Sequence, residues 1–187
     1  MQALIEHARS FSSSGEDLSH LAGGQTPEVL FVCCSDSRVV PALMTGARPG
    51  ELFELRTAGG MVPPNRDDWP TGEAALTIEY AVEVLGVSDI VVCVHSECGA
   101  VTGPQDGGPG SAAAERGRDG EPGGPVAPGG PGEPEPRMSL AEREHMLLQL
   151  DSLRTYPCVR ARLADGRLRV HGWFYEVHTG RVSTRSQ

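Results

Sequence analysis

Two runs of consecutive apolar residues constrain this chain more than any other feature. They are Val29-Leu30-Phe31-Val32-Cys33 and Ile90-Val91-Val92-Cys93-Val94. Neither run alternates with polar residues, and both are rich in β-branched side chains. Such runs suit strands buried on both faces, as in a parallel sheet. The sequence between them turns helical from Glu73 to Leu85. There Leu76, Tyr80 and Val84, and Ile78, Ala81, Val82 and Leu85, recur at spacings of three and four. Gly86 follows as the expected C-terminal cap. Two buried strands joined through helical sequence predict parallel pairing by crossover, and so an α/β fold.

Other elements are weaker. Gln2–Phe11 predicts a short helix and Leu52–Leu55 a short strand. Ser139 and Glu142 form an S-x-x-E capping box ahead of a helix with Leu140, Leu147, Leu150 and Leu153 on its apolar side. Pro157 is expected to stop that helix. The charged positions around Glu142–Glu144 read as solvated surface. Arg167–Val177 alternates as a last strand. Residues 103–136 differ in kind, with 11 Gly and 8 Pro. A stretch of that composition buries too little apolar surface to offset its ordering entropy. It is expected to be a disordered insertion in a single domain spanning residues 1–187.

The bulk properties narrow the function. A net charge of −9 over 187 residues disfavours nucleic acid as a partner. No apolar run approaches the roughly 18–20 residues that cross a bilayer, and the first residues lack the pattern of a signal peptide. A soluble cytoplasmic protein is the expectation. Five cysteines, an odd number, point in that compartment to metal or catalysis before disulfides.

Both apolar runs lead into chemistry. The first ends in Cys34-Ser35-Asp36-Ser37-Arg38, the second in His95-Ser96-Glu97-Cys98-Gly99. Sites in open α/β sheets form at the carboxyl ends of the strands. Neighbouring strands lie only about 5 Å apart there, so Cys34 and His95 can meet on one ion. Cys98, three residues on, can fold back as a third ligand. Thiolate and imidazole are the donors zinc favours, and three ligands with an open position mark a catalytic site. Asp36 leaves two arrangements open. Paired with Arg38, it frees the fourth position; bound to the metal, it closes the site.

These residues resemble the paired signature of the β-class carbonic anhydrases. Pro49-Gly50-Glu51-Leu52-Phe53, Arg56, Val62-Pro63-Pro64, Ile78-Glu79-Tyr80-Ala81-Val82 and His171-Gly172-Trp173 extend the likeness. The resemblance implies a mostly parallel sheet flanked by helices. It implies one zinc ion per chain on Cys34, His95 and Cys98, a catalytic dyad of Asp36 and Arg38, and a substrate pocket lined by Gln25, Phe53, Ala58 and Tyr80. In this family the pocket lies at a subunit interface, so a homodimer or higher homo-oligomer is implied. Carbon dioxide and bicarbonate are the expected small-molecule partners. The chain departs from the family's usual pattern at Arg56-Thr57-Ala58-Gly59-Gly60, where an Asn ordinarily follows the Arg, and at Val94, ordinarily a glycine. The helical segment after the second signature is replaced by the Gly/Pro-rich stretch.

The implied activity is zinc-dependent, reversible hydration of carbon dioxide. A second reading keeps the site and changes the substrate to carbonyl sulfide or carbon disulfide. A third, prompted by the departures, is a zinc protein without catalysis; the Asp36–Arg38 pair argues against it. Cys33 and Cys93 read as core residues, Cys158 as a structural thiol, and Trp173 and Tyr175 as strand packing. His7, His20, His145, His171 and His178 read as surface or hydrogen-bonded histidines.

Overall fold

The computed structural model describes residues 1–11, 18–66, 72–102 and 138–186. In chain order the elements are α1 (Gln2–Ser10), β1 (Val29–Cys34), α2 (Pro41–Thr45), β2 (Leu52–Thr57), α3 (Glu73–Glu79), β3 (Asp89–His95), α4 (Gly99–Thr102), α5 (Leu140–Leu153), α6 (Pro157–Ala164), β4 (Arg169–Glu176) and β5 (Arg181–Ser186). Helix α3 continues without a break into a π-helical segment, Tyr80–Leu85, that Gly86 ends in the left-handed conformation. The Gly/Pro-rich stretch expected at 103–136 lies outside the described residues.

The strands form one sheet in the order β2-β1-β3-β4-β5. The first three pairings are parallel, and β5 closes the sheet antiparallel to β4. The α/β reading and the mostly parallel sheet are therefore correct. The two apolar runs are adjacent strands, with Cys33 opposite Cys93. Their carboxyl ends stop at the same sheet edge, which brings Cys34 and His95 together.

Because successive side chains on a strand alternate, each run feeds two cores. Leu30, Val32, Ile90, Val92 and Val94 pack against Ile78, Val82, Met146, Leu150, Leu153 and Tyr156. Phe31, Cys33, Val91 and Cys93 form a smaller cluster with Val39 on the other face. Trp173 meets Phe31 there edge to face, ring centroids 5.7 Å apart. Burial pushes the Cys33 thiol up to about 12 and raises that of Cys93 as well, so both stay protonated core groups.

Three expectations for the C-terminal half need correction. The buried stripe of α5 is Glu142, Met146, Gln149, Leu150 and Leu153, whereas Leu140 and Leu147 are 71% and 42% exposed. Polarity misled because the two buried polar side chains have backbone partners waiting for them, and those hydrogen bonds offset the cost of desolvation. Glu142 is accordingly not solvated surface. Pro157 also does not stop α5, which ends at Leu153; it occupies the first turn of α6, where its missing N–H is harmless. The periodicity of Glu73–Leu85 divides in a similar way. Ala75, Ile78, Ala81 and Val82 face the core. Leu76, Tyr80 and Val84 are 56%, 43% and 66% exposed and form a separate apolar stripe.

Candidate metal centre

Cys34, at the end of β1, and His95, at the end of β3, are joined by Cys98 from the turn after β3. The ligand atoms of these three buried residues all lie within 4.8 Å of one another. The two sulfurs are 3.9 Å apart. The turn that folds Cys98 back runs through Glu97, whose φ of 56° is the left-handed value that L residues seldom adopt.

The tautomer of His95 follows from its neighbours. Nδ1 lies 2.9 Å from the Ser96 carbonyl, which can only accept, so Nδ1 carries the proton. Nε2 is left as a lone pair, buried and without a hydrogen-bond partner among the described residues. Burial also lowers the His95 pKa, keeping the ring neutral. A neutral imidazole whose other nitrogen is fixed by a backbone carbonyl is the form a metal ligand takes. Burial raises the Cys98 thiol, opposed by the backbone N–H groups of Ala100 and Val101. A divalent cation in the cluster would reverse that preference and hold the sulfur as thiolate. The orphaned nitrogen and the two sulfurs together fit zinc.

The Cys34 sulfur accepts two backbone N–H groups, from Gly59 at 3.2 Å and from Asp36 at 3.4 Å. Gly59 reaches it because Gly59 and Gly60 both have positive φ, 73° and 66°. A Cβ on Gly60 would come within 3.2 Å of the Cys33 backbone carbonyl carbon. Only glycine lets this segment pass so close to β1.

Asp36 is held by both carboxylate oxygens. Oδ1 accepts the Arg38 backbone N–H at 2.9 Å and Nε at 3.0 Å, and Oδ2 accepts Nη2 at 2.8 Å. The Arg38 hydrogen bonds lower the Asp36 carboxyl to about 2. Arg38 also donates to the Glu97 carbonyl at 3.3 Å, so it spans both loops of the site. Beneath them, Nη2 of Arg56 donates to the carbonyls of Cys34, Asp36 and Val39 at 3.1, 3.1 and 2.7 Å.

The carbonic anhydrase family model matches residues 29–182, which contain every residue of this cluster. The chain belongs to the β-carbonic anhydrase family. A carbonic anhydrase from Pseudomonas aeruginosa is 43% identical over 171 residues, covering 87% of this chain and 74% of that protein. The solved β-carbonic anhydrase CcaA superposes with a TM-score of 0.74 at 31% identity, over 98% of this chain and 94% of that one. Tetrameric β-carbonic anhydrases from Sordaria macrospora share the fold, with a TM-score of 0.65 at 23% identity over 100% of this chain and 95% of theirs.

The four positions that the resemblance assigns to a substrate pocket do not share one surface within this chain. Phe53 and Tyr80 touch, ring centroids 5.9 Å apart, and line a cavity of about 460 Å³ with Leu76 and Val84. Gln25 lines a separate cavity of about 1210 Å³ beside Phe31, His171 and Trp173. Ala58 is exposed next to Gly59. Neither cavity is lined by Cys34, His95 or Cys98. His171 is a hydrogen-bonded histidine, 2.7 Å from Asp89.

Two residues at the centre carried little signal in sequence. Glu142 accepts the Glu97 backbone N–H at 3.2 Å, and His145 lies 2.7 Å from the Gly59 carbonyl. The capping box marked Glu142 as a helix-start residue, and nothing local marked the distant loop it also holds. His145 has no ligand spacing, and its partner is 86 residues away.

Proposed function

We propose that this chain binds one zinc ion through Cys34, His95 and Cys98 and catalyses the reversible hydration of carbon dioxide to bicarbonate and a proton. One observation carries the reading: a buried imidazole nitrogen with no hydrogen-bond partner among the described residues, on a histidine clustered with two buried cysteines. Membership of the β-carbonic anhydrases supports the reaction. Zinc in such a site supplies a nucleophile from water at neutral pH, by lowering that water's pKa from 15.7 toward about 7.

The chain's own residues do the rest. Asp36, ionised at any working pH, is the acceptor that orients a donor hydrogen beside His95 Nε2, 4.0 Å from its Oδ2. Arg38 fixes that carboxylate and keeps it from turning into the metal position. The apolar stripe of Leu76, Tyr80 and Val84 is the face on which a second copy docks, giving a homodimer or larger assembly. Docking there covers the Phe53–Tyr80 cavity and supplies the walls that one chain lacks. Five free cysteines, two of them the proposed metal ligands and two more, Cys33 and Cys93, on the strands that lead to the site, suit a reducing cytoplasm.

The test is stopped-flow hydration of carbon dioxide by purified protein, before and after zinc is removed with a chelator and restored. Turnover that falls with zinc and returns with it is the expected result. Zinc-loaded protein with no turnover of carbon dioxide, or turnover of carbonyl sulfide alone, overturns it.

A further inference from the structure

Helix α5 reaches the metal centre with two side chains one turn apart, and each holds a different arm of it. Glu142 is buried, and both of its carboxyl oxygens accept a backbone N–H. Its Oε2 accepts the Ser139 N–H at 2.8 Å, completing the capping box, while its Oε1 accepts the N–H of Glu97. Glu97 is the left-handed residue of the turn between His95 and Cys98. A left-handed L residue outside glycine persists only where its surroundings hold it, and the buried carboxylate is one such hold.

His145 serves the other arm. The Gly59 carbonyl can only accept, so His145 Nε2 donates to it and Nδ1 is the acceptor. Gln149 matches that tautomer: its Nε2 lies 3.4 Å from His145 Nδ1, and its Oε1 accepts the Val62 N–H at 2.7 Å. Each member of this chain of bonds is paired in one consistent direction. The residue it pins, Gly59, donates its own N–H to the Cys34 sulfur. Glycine has the widest backbone freedom of any residue, so a bond at the Gly59 carbonyl restricts the backbone that carries its N–H.

We propose that Glu142 and His145 are positioning residues that set the Cys98 and Cys34 sulfurs for the metal, making α5 a two-point clamp on the centre. This rests on the zinc-ligand assignment above. Neither side chain touches the metal cluster. Each acts through one backbone group: Glu142 through the Glu97 amide, and His145 through the Gly59 carbonyl.

The variants are His145→Phe, which keeps a flat ring and removes the donor, and His145→Gln, whose amide nitrogen sits close to where Nε2 does. Glu142→Gln keeps volume but places an amide donor against an N–H. Leu153→Ala, on the same helix and away from the centre, controls for general loss of stability. The readouts are the rate at which folded holoprotein surrenders zinc to a chelator, and the thiolate-to-metal charge-transfer band of the cobalt-substituted protein. Removing a group that supports a ligand typically weakens metal binding by about 10- to 100-fold. His145→Phe and Glu142→Gln are expected to release zinc faster by that order and to shift the cobalt band. His145→Gln is expected to return both readouts toward wild type.

Wild-type release and an unshifted band in His145→Phe overturn the proposal. So does equally fast release from Leu153→Ala, which would make the role merely structural. If His145→Phe does not fold, Glu142→Gln decides by the same two readouts. Wild-type protein without stoichiometric zinc would instead refute the ligand assignment, a separate failure.

Discussion

Nε2 of His95 and Oδ2 of Asp36 face each other across 4.0 Å, and neither carries a proton to share. Two lone pairs so placed repel unless something electropositive lies near both. A cation on the nitrogen, with a donor hydrogen toward the carboxylate, satisfies both. Asp36→Asn should therefore keep zinc, since the three ligands are untouched. It should lose activity by roughly 10²-fold or more, the scale of a misplaced acid–base group. Zinc content and stopped-flow turnover measured on one preparation check both halves. An active Asp36→Asn enzyme would remove Asp36 from the mechanism.

Cys98→Ser should lose zinc. A hydroxyl in place of a buried thiolate is a far poorer zinc donor, and the left-handed Glu97 leaves the turn little freedom to compensate. Elemental analysis of the purified variant is the check, and full zinc occupancy would remove Cys98 from the ligand set.

The pH response of Asp36 has a definite sign. Its carboxyl is lowered from 3.8 to about 2 by the Arg38 hydrogen bonds. A depressed carboxylate stabilises the folded state above its unfolded pKa, and that contribution fades as pH falls through the folded one. The contribution is thus complete above about pH 4 and disappears between there and about pH 2. Wild type and Asp36→Asn should differ in urea stability by an amount that shrinks over this window and stays constant from pH 5 to 8. The carboxyl should also rise toward 3.8 in Arg38→Ala, as read by NMR titration.

Gly60→Ala should destabilise the protein by about 1–3 kcal/mol from its left-handed backbone alone. The Cβ placed 3.2 Å from the Cys33 backbone would add to that. Gly72→Ala, with open space around its Cβ and an ordinary φ of −90°, should be nearly neutral. Urea midpoints for the two variants make the comparison.

Leu76→Glu combined with Val84→Glu should yield monomers, because both positions lie on the exposed apolar stripe. If the pocket is completed by a second copy, turnover falls with the mass while each chain keeps its zinc. Sedimentation and metal analysis together test this.

The sheet was legible because Val29–Cys33 and Ile90–Val94 are apolar on both faces, a pattern few other elements produce. The convergence of Cys34, His95 and Cys98 was legible because each run stops at a ligand type. What escaped depended on distance along the chain. Glu142 looks like a solvated charge until the Glu97 amide, 45 residues earlier, is seen in contact with it. The face of α5 was misjudged for the same reason, since Gln149 is polar in sequence and buried against Val62 in space. Strand β5 and helices α2, α4 and α6 were missed because they are short and carry no sustained periodicity.

Arg56 ties the backbone of the Cys34–Val39 loop from below through three hydrogen bonds from one guanidinium nitrogen. The Asp36–Arg38 pair above that loop does titrate. Acidification would therefore dissolve the upper pair while the floor under it stays in place. Protonation of Asp36 is thus a local event in the Cys34–Val39 loop, which the Arg56 contacts leave ready to resume its shape when the proton leaves.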